Sequence, residues 1–580
     1  MKKKLILASS KKLLDKNYIN YSISNDIYSL SHNDLKKFKI KAPHSHWKYN
    51  QKKKKDYIYL KKLYYSVLKD LIKYLNSYHS IRYDKNQWHI ILGPWLNYII
   101  PILWDRWETV NVFQKKFGYI KNIAMPENPK DYLVSDDFIN FMEKSERQDW
   151  NAEIFKSIID FKKKKWNPVY KKKKINNNHK AREKPRKYLN IIDKILFFFQ
   201  KLFLIRTNYI LIKTNFGKKF YFEAFFKHLI TTRLYKEFDK DINLNRNKLD
   251  RKDKTLILKP VKFKSFENYL SKYLITTIPL SYMENFKINL NNIKKIKIKS
   301  KIILTAFKHH ENDLFKIWVA NEKKKLVSCL HGGNIEKEFF FDSWSKYSYK
   351  YISWNKDKLN KNQINLPVNF LIFRKKFVNK EYLYKDKIIF LLPHAELKPQ
   401  RLVDGLFCGE VLECFDRWIS FYKILDDNKK KFIHWRLGPF SDEWRILEKL
   451  NNKIQDINFS REKNFKKDVS KARLSIHVDI QTTFLETMHM NIPSVVIINH
   501  NFWNVSKKSL SILRKLKNAN ILFNNHKDLA NHINKYYSNI DDWWESKKVQ
   551  KIRLDYLRYS NASNSDKAKQ EWFNFLKKLN

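Results

Sequence analysis

The chain has 580 residues, with 117 Lys and Arg against 58 Asp and Glu, a formal net charge of +59. That length exceeds what one hydrophobic core supports and predicts about two to four domains; 43% hydrophobic and 16% aromatic residues exclude wholesale disorder. Three cysteines, Cys329, Cys408 and Cys414, exclude a disulfide scaffold and, lacking any C-x-x-C spacing, argue against a structural zinc site, which fits a reducing compartment.

Lysine far outnumbers arginine, Asn, Ile, Tyr and Phe are abundant, and only 8 glycines occur. An AT-rich genome writes that set of residues. A dedicated nucleic-acid groove concentrates Arg, which forks onto phosphate and guanine. Here the Lys is spread along the whole chain, so the charge is read as compositional drift and no specific nucleic-acid partner is expected. Such a surface should still adhere to the anionic lipids of an inner leaflet.

Residues 1–14, MKKKLILASSKKLL, contain an apolar stretch shorter than the roughly 7–15 residues of a signal peptide, and LILAS reads as a first buried strand. Residues 57–76 carry Leu60, Leu63, Tyr64, Val67, Leu68, Leu71 and Leu75, a helical period. Then come His79, Arg82, Trp88, ILGPWL at 91–96 with Trp95, and WDRW at 104–107 with Arg106. Trp and Arg suit stacking on sugar faces and holding anions. An aromatic core with Arg106 paired to a carboxylate explains the same residues, and the residues alone favour it. Residues 162–187 are charged and proline-bearing and read as an exposed loop. Residues 191–212 are apolar but broken by Asp193, Lys194, Gln200, Lys201 and Arg206, so they read as a core helix or a surface amphipathic helix and not a membrane span. A soluble, cytoplasmic protein, peripheral on a membrane at most, is expected.

From about residue 297 short apolar strands alternate with helices: IKIKSKIILTAF, KLVSCLHGG, YKYISW, KIIFLLP, KFIHWRLG, LSIHV and SVVIIN. This rhythm predicts an α/β fold with a parallel sheet. VSCLHGG at 327–333 ends a strand in His331, Gly332 and Gly333, where paired glycines let a phosphate reach backbone amides and a histidine can contact it or move a proton. A plain tight turn is the competing account. Residues 356–386 read as a linker. In KFIHWRLGPF, Arg436 follows a strand beside Gly438 and suits bidentate phosphate recognition or a surface ion pair. LSIHVDIQTTFLETMHMNIPSVVII at 474–498 reads as strand, Asp479, helix from about Thr483, Asn491 as C-cap, Pro493 and a further strand. Thr483 and Glu486 have capping-box spacing, and the helix N-terminus offers amides to a phosphate while Glu486 could bond ribose hydroxyls. No HExxH, P-loop, GxSxG or GxGxxG occurs, which removes support for metalloprotease, Walker-type NTPase, α/β-hydrolase and standard dinucleotide readings.

Taken together, several segments resemble the transferase family of O-antigen and surface-polysaccharide loci. They are His46–Trp47, YLKKLYYSVLKDLIKYLNSYHS, RYDKNQWHIILGPWL, DRW, HGG at 331–333, Ser348 to Trp354, Arg436, DIQTTFLETMHMNIPSVV and DDWWESKKVQKIR. They run in the family's order from about residue 44 to the end; residues 120–295 match only in texture.

The resemblance implies two facing Rossmann-like domains of GT-B type with a helical N-terminal elaboration. Residues 1–355 would form the acceptor-side domain and 387–545 the nucleotide-sugar domain, with 546–580 as a helical tail packing back on the first. The implied reaction moves a sugar from a nucleotide donor, CMP-linked by analogy, to a lipid-linked or polysaccharide acceptor at the inner face of the cytoplasmic membrane. Gly332, Gly333, Arg436, Asp479, Thr482, Thr483 and Glu486 would bind the donor. His331, Glu336 and Glu338, with Asp342 nearby, would be the catalytic candidates, and His79, Arg82, Trp95 and Arg106 would face the acceptor. No metal or cofactor is implied, the nucleotide sugar being a substrate. A glycerophosphate-type transferase using CDP-glycerol, and a noncatalytic RNA- or membrane-binding protein, are the alternatives. The family follows HGG with Tyr-Gly where this chain has Ile335 and Glu336, and it carries an Asp and Trp-Gly-Trp where this chain has Tyr349 and Trp354-Asn355-Lys356. Glu336 in the place of a glycine would narrow donor choice or abolish activity, while drift in a glycine-poor chain is the milder account.

Overall fold

The computed structural model describes residues 2–129, 131–162, 166–175, 209–216, 265–296, 298–306, 311–333, 344–354, 361–372, 386–393, 395–400, 410–438, 442–498, 505–562 and 565–579, with a few single positions and short pairs between them. They form three parallel sheets. The first contains β1 (Lys2–Ile6), β2 (Tyr18–Ser22), β3 (Ile40–Lys41), β4 (Asn122–Pro126) and β5 (Val169–Lys173), in the order β3-β2-β1-β4-β5. The second contains β6 (Tyr209–Ile212), β7 (Ile302–Thr305), β8 (Lys325–Cys329), β9 (Lys350–Ser353) and β10 (Gln363–Asn365), stepping one way as β10-β9-β8-β7-β6. The third contains β11 (Ile388–Leu391), β12 (Ile433–Arg436), β13 (Asn458–Phe459), β14 (Leu474–His477), β15 (Ser494–Ile497) and β16 (Leu522–Phe523), ordered β13-β12-β11-β14-β15-β16. The expected α/β class with parallel sheets is the one found, and each apolar run expected from residue 297 onward contains a strand.

Two long helices lie between the first two sheets. Helix α1 (Asn50–His79) contains the periodic block and buries Leu60, Leu63, Tyr64, Val67, Leu68, Leu71 and Leu75. Helix α2 (Lys85–Phe117) opens on a capping box, with Asp84 accepting from the Gln87 amide and Gln87 accepting from the Asp84 amide, and is buried along most of its length. A helix apolar on all sides belongs in a core. One continuous cluster joins Leu5, Ile6 and Ile123 of the first sheet, Trp88, Trp95 and Trp107 of α2, and Ile303 and Leu326 of the second.

The one-way order of the second sheet has a consequence. Right-handed crossovers that always step in the same direction place their helices on one face. Helix α3 (Asp313–Asn321) covers that face with Phe315, Ile317 and Trp318. The alternate residues Tyr209, Leu211, Leu304, Val327 and Cys329 point the other way and pack against Trp572, Phe573 and Leu576. The last helix of the chain therefore covers the second sheet, and the Trp572 indole donates to the Pro367 carbonyl at 2.8 Å.

Residues 1–355, expected as one domain, hold two sheets joined by that one core cluster. Three local expectations need correction. The stretch 162–187, read as a loop, supplies edge strand β5, whose exposed lysines suit an unpaired edge. The stretch 356–386, read as a linker, carries β10, paired to β9. Of residues 191–212, read as a helix, Tyr209–Ile212 form buried strand β6; nearly all the rest lie outside the described residues. No helix among the described residues is long and apolar enough to cross a membrane.

Helices and loops beside the first sheet meet those beside the third through buried polar contacts. Lys53 pairs with Glu410 at 2.8 Å, Arg106 donates to the Pro399 carbonyl at 2.8 Å, and Lys398 pairs with Asp26.

Candidate functional site

In the third sheet the strand order reverses between β11 and β14, the topological position where a crevice opens beyond the carboxyl ends of strands in an α/β sheet. After β14 come Val478, Asp479, Ile480 and Gln481, and then helix α5 (Thr482–Met490); helix α4 (Glu410–Ile424) follows β11. The end of β8 in the second sheet lies against this point. The Gly333 N–H donates to the Thr482 hydroxyl at 3.1 Å, across 149 residues of sequence. The HGG and TTFLE segments, each ambiguous by itself, are thus brought together from two different sheets.

The glycines explain the close approach. A Cβ on Gly332 would stand 3.2 Å from Thr482 Oγ1, and one on Gly333 would stand 2.9 Å from Gln481 Oε1. Gly333 also has φ +74°, a left-handed conformation that side-chain-bearing residues pay to adopt. His331 is half-buried beside them.

Helix α5 starts one residue earlier than expected. Its N-cap is Gln481, which makes no side-chain capping bond, so the capping box read from Thr483 and Glu486 is not formed. The first-turn amides at the positive end of the helix dipole therefore receive no capping bond from the Gln481 side chain. Asp479, Thr482 and Thr483 are half-buried around this end, and Glu486 is buried. The other end is anchored as the sequence suggested: Asn491 is the left-handed C-cap at φ 58°. From helix α7 (Lys547–Tyr559), Arg553 donates to the Met488 carbonyl at 2.8 Å, a cation at the negative end of the dipole. The Trp544 indole donates to the Asn491 carbonyl at 3.3 Å. Helix α6 (His526–Tyr536) precedes this segment and helix α8 (Asp566–Lys577) follows it.

The arrangement joins an uncapped helix start, a pair of glycine backbones, two threonine hydroxyls and a histidine. These are the groups that bind a phosphate and steady charge developing on it. Among the described residues no group of three or more His, Cys, Asp or Glu converges as metal ligands would.

Arg436 is engaged elsewhere. Its Nη1 donates to Asp468 Oδ2 at 2.6 Å and to the Glu462 carbonyl. Asp468 is buried and also pairs with Lys387 at 2.6 Å; burial would raise its pKa, but the bonds from Lys387 and Ser460 and the charges of Lys387 and Arg436 outweigh this and lower it. Arg436, expected at the donor phosphate, is thus held in an ion pair, the alternative read from sequence.

Three of the four residues expected on the acceptor side are buried. His79 is buried, with Nε2 3.0 Å from the Tyr282 carbonyl, and burial lowers its pKa. Trp95 is fully buried in α2. Arg106, also fully buried, donates to Asp105 at 2.6 Å and Asn151 at 2.8 Å, the carboxylate pairing of the aromatic-core account. Arg82 is exposed. Glu336, Glu338 and Asp342 lie outside the described residues.

Sequence reasoning missed Gln481, whose position immediately before the two threonines was the available signal. It also missed the Asp105 carboxylate, which His46 Nε2 meets at 2.9 Å. Burial would raise the Asp105 pKa, but the Arg106 charge and the His46 bond outweigh it and hold it down. Asp105 lines a cavity of about 20 Å³ with Ser24, Asn25, His44, Ser45 and Lys398.

No curated protein matches the chain. Among solved structures, the UDP complex of S. aureus MnaA is similar over 64% of this chain and 95% of its own, at 9% identity and a TM-score of 0.34. The UDP-forming α,α-trehalose-phosphate synthase of Burkholderia vietnamiensis is similar over 51% and 75%, at 9% identity and a TM-score of 0.31. Likeness of that size supports no statement about what this chain does. The model of one protein family, by contrast, matches from residue 5 to residue 576, nearly end to end, and the chain belongs to the LIC12162 family of transferases.

Proposed function

We propose that this transferase moves a glycosyl group from a nucleotide-activated sugar to a hydroxyl of a lipid-linked or polysaccharide acceptor in surface-polysaccharide assembly. The observation that carries the reading is the contact of Gly333 with Thr482, which sets His331 and two glycines opposite an uncapped helix start. The donor's phosphates occupy the amides at the start of α5 and beside Gly332 and Gly333. The acceptor oxygen attacks the anomeric carbon, a C–O bond forms, and the bond to phosphate breaks with its electron pair leaving on the nucleotide. The helix amides and the threonine hydroxyls stabilise that leaving charge. The acceptor's proton passes to His331 or to one of the carboxylates that follow it in sequence, Glu336, Glu338 and Asp342. The O-antigen setting and the membrane face rest on the sequence resemblance and on the net charge of +59, which favours anionic lipid.

Thermal unfolding of the wild type and of Thr482→Val with CMP, CDP, UDP, GDP and a short RNA tests the reading. A nucleotide at about 100 times its dissociation constant adds about 2.7 kcal/mol of stability. One nucleotide should stabilise the wild type and act much less on Thr482→Val. Stabilisation by RNA alone, equal in both proteins, would mean that the charge is the function and would replace the transferase site with a binding surface.

A further inference from the structure

The first sheet repeats the topology of the third. Its strand order reverses between β1 and β4, as the third's does between β11 and β14, so a ligand crevice is expected beyond its carboxyl ends as well. The chain itself fills that place. Leu397, Lys398 and Pro399, which follow β11, line one cavity with Asn25 and His44 from the loops after β2 and β3. The space left among them is about 20 Å³, room for about one water.

Charge holds this segment in place. Lys398 pairs with Asp26 and donates to Gln148 Oε1 at 2.9 Å. Gln148 ties in the loop after β1: its Oε1 also accepts the Ser9 N–H at 3.3 Å, and its Nε2 donates to Asp26 at 2.9 Å. Arg106 donates to the Pro399 carbonyl at 2.8 Å, and Gln400 to the Ser145 carbonyl at 2.9 Å. Lys53 of α1 pairs with Glu410, the first residue of α4, at 2.8 Å. Lys53, Arg106 and Lys398 are each no more than 5% exposed. Buried ion pairs add little stability over apolar residues of the same size, because desolvation offsets their attraction. They can instead fix register, since a charge withdrawn from water must meet its own partner and a shifted segment leaves it unpaired.

The parts so held, residues 395–400 and the start of α4, border the donor crevice. The first follows β11, one of the two strands at the reversal in the third sheet. In α4, Cys414 and Trp418 share a cavity with Val478, the residue before Asp479. Resting on the glycosyl-transfer reading, we infer that the first sheet is a socket and not a second ligand site. Asp26, Gln148 and Lys398, together with Lys53 and Glu410, are positioning residues that set the wall of the donor crevice formed by the segment after β11 and the start of α4.

Paired neutral variants of the full chain test this. Asp26→Asn with Lys398→Met removes one charge pair and keeps its volume. Lys53→Met with Glu410→Gln does the same at α4, and decides the matter should the first pair not fold. Lys398→Arg keeps the charge. Urea unfolding reads the stability of each protein, and titration calorimetry with CMP, CDP, UDP and GDP reads nucleotide binding. The paired variants should unfold at a urea midpoint close to that of the wild type, yet bind its preferred nucleotide about tenfold or more weakly. Lys398→Arg should bind within about threefold of the wild type. Paired variants that bind as the wild type does would overturn the positioning role and leave the glycosyl-transfer reading standing. Binding that falls only in step with the folded fraction would overturn it too, as the mark of a purely structural pair. A wild type that binds none of the four nucleotides would remove the glycosyl-transfer reading, and the positioning role with it.

Discussion

The backbone of Gly333 and the hydroxyl of Thr482 are joined by a 3.1 Å hydrogen bond between two sheets. The bond depends on a residue without a Cβ. At φ +74° any L side chain costs about 1–2 kcal/mol, whereas the contact that a new Cβ would make, 2.9 Å from the end of the Gln481 side chain, can be relieved by moving that flexible amide. Gly333→Ala should therefore lower stability by about 1 kcal/mol in urea unfolding. It should also cut transfer from a nucleotide sugar more than about tenfold, because the amide moves away from where charge develops. Unchanged turnover would remove Gly333 from the site.

Arg436 and Asp468 predict the opposite pattern. Arg436→Met leaves Asp468 buried with Lys387 as its remaining cation, so stability should fall by about 2 kcal/mol. Nucleotide affinity, read by calorimetry, should stay within about twofold of the wild type once the folded fraction is accounted for. A large loss of affinity at unchanged stability would return Arg436 to the donor site.

Trp572 tests the cover of the second sheet. The side chain is fully buried and its indole N–H is bonded to Pro367. Trp572→Ala should cost about 3–5 kcal/mol, from lost apolar burial and the cavity left behind. Loss of under about 1 kcal/mol in urea unfolding would mean that α8 is dispensable to that face.

Three buried histidines predict a pH dependence. Burial pushes His477 down to about 3 and, with a nearby lysine adding to it in each case, His89 and His532 down to about 4. In the unfolded chain they titrate near about 6.5. Below that pH the unfolded state binds more protons than the folded one, so stability falls as pH drops from about 6.5 toward the folded values and is unaffected by these groups above it. Between about pH 6.5 and 5 the loss is on the order of 2 kcal/mol for each histidine. The thermal midpoint should drop between about pH 7 and 5, and His477→Gln should show a smaller drop. Equal drops in both proteins would place the titration elsewhere.

The strands of the second half were legible because a strand buried on both faces is a short apolar run: Ile302–Thr305, Ile388–Leu391 and Ser494–Ile497 are each buried along nearly their whole length. Helix α1 was legible through its period, and the end of α5 through an asparagine able to take a left-handed φ. Edge strands β5 and β10 were not, because VYKKK and QIN carry no apolar run; an edge needs little burial and favours charge.

What the sequence determined by itself was local: which segments bury, where a chain must turn, and which residues have the chemistry to hold a phosphate. Tertiary structure decided which of those residues meet. That the HGG glycines meet another sheet depended on Thr482, far away in sequence, and that Arg436 pairs with a carboxylate depended on Asp468. The one-way order of the second sheet left a face that the chain's last helix came to cover. Such outcomes arise from packing between elements distant in sequence, where burial rewards a pairing only after the intervening chain has closed, so they leave no periodic trace in the residues on either side.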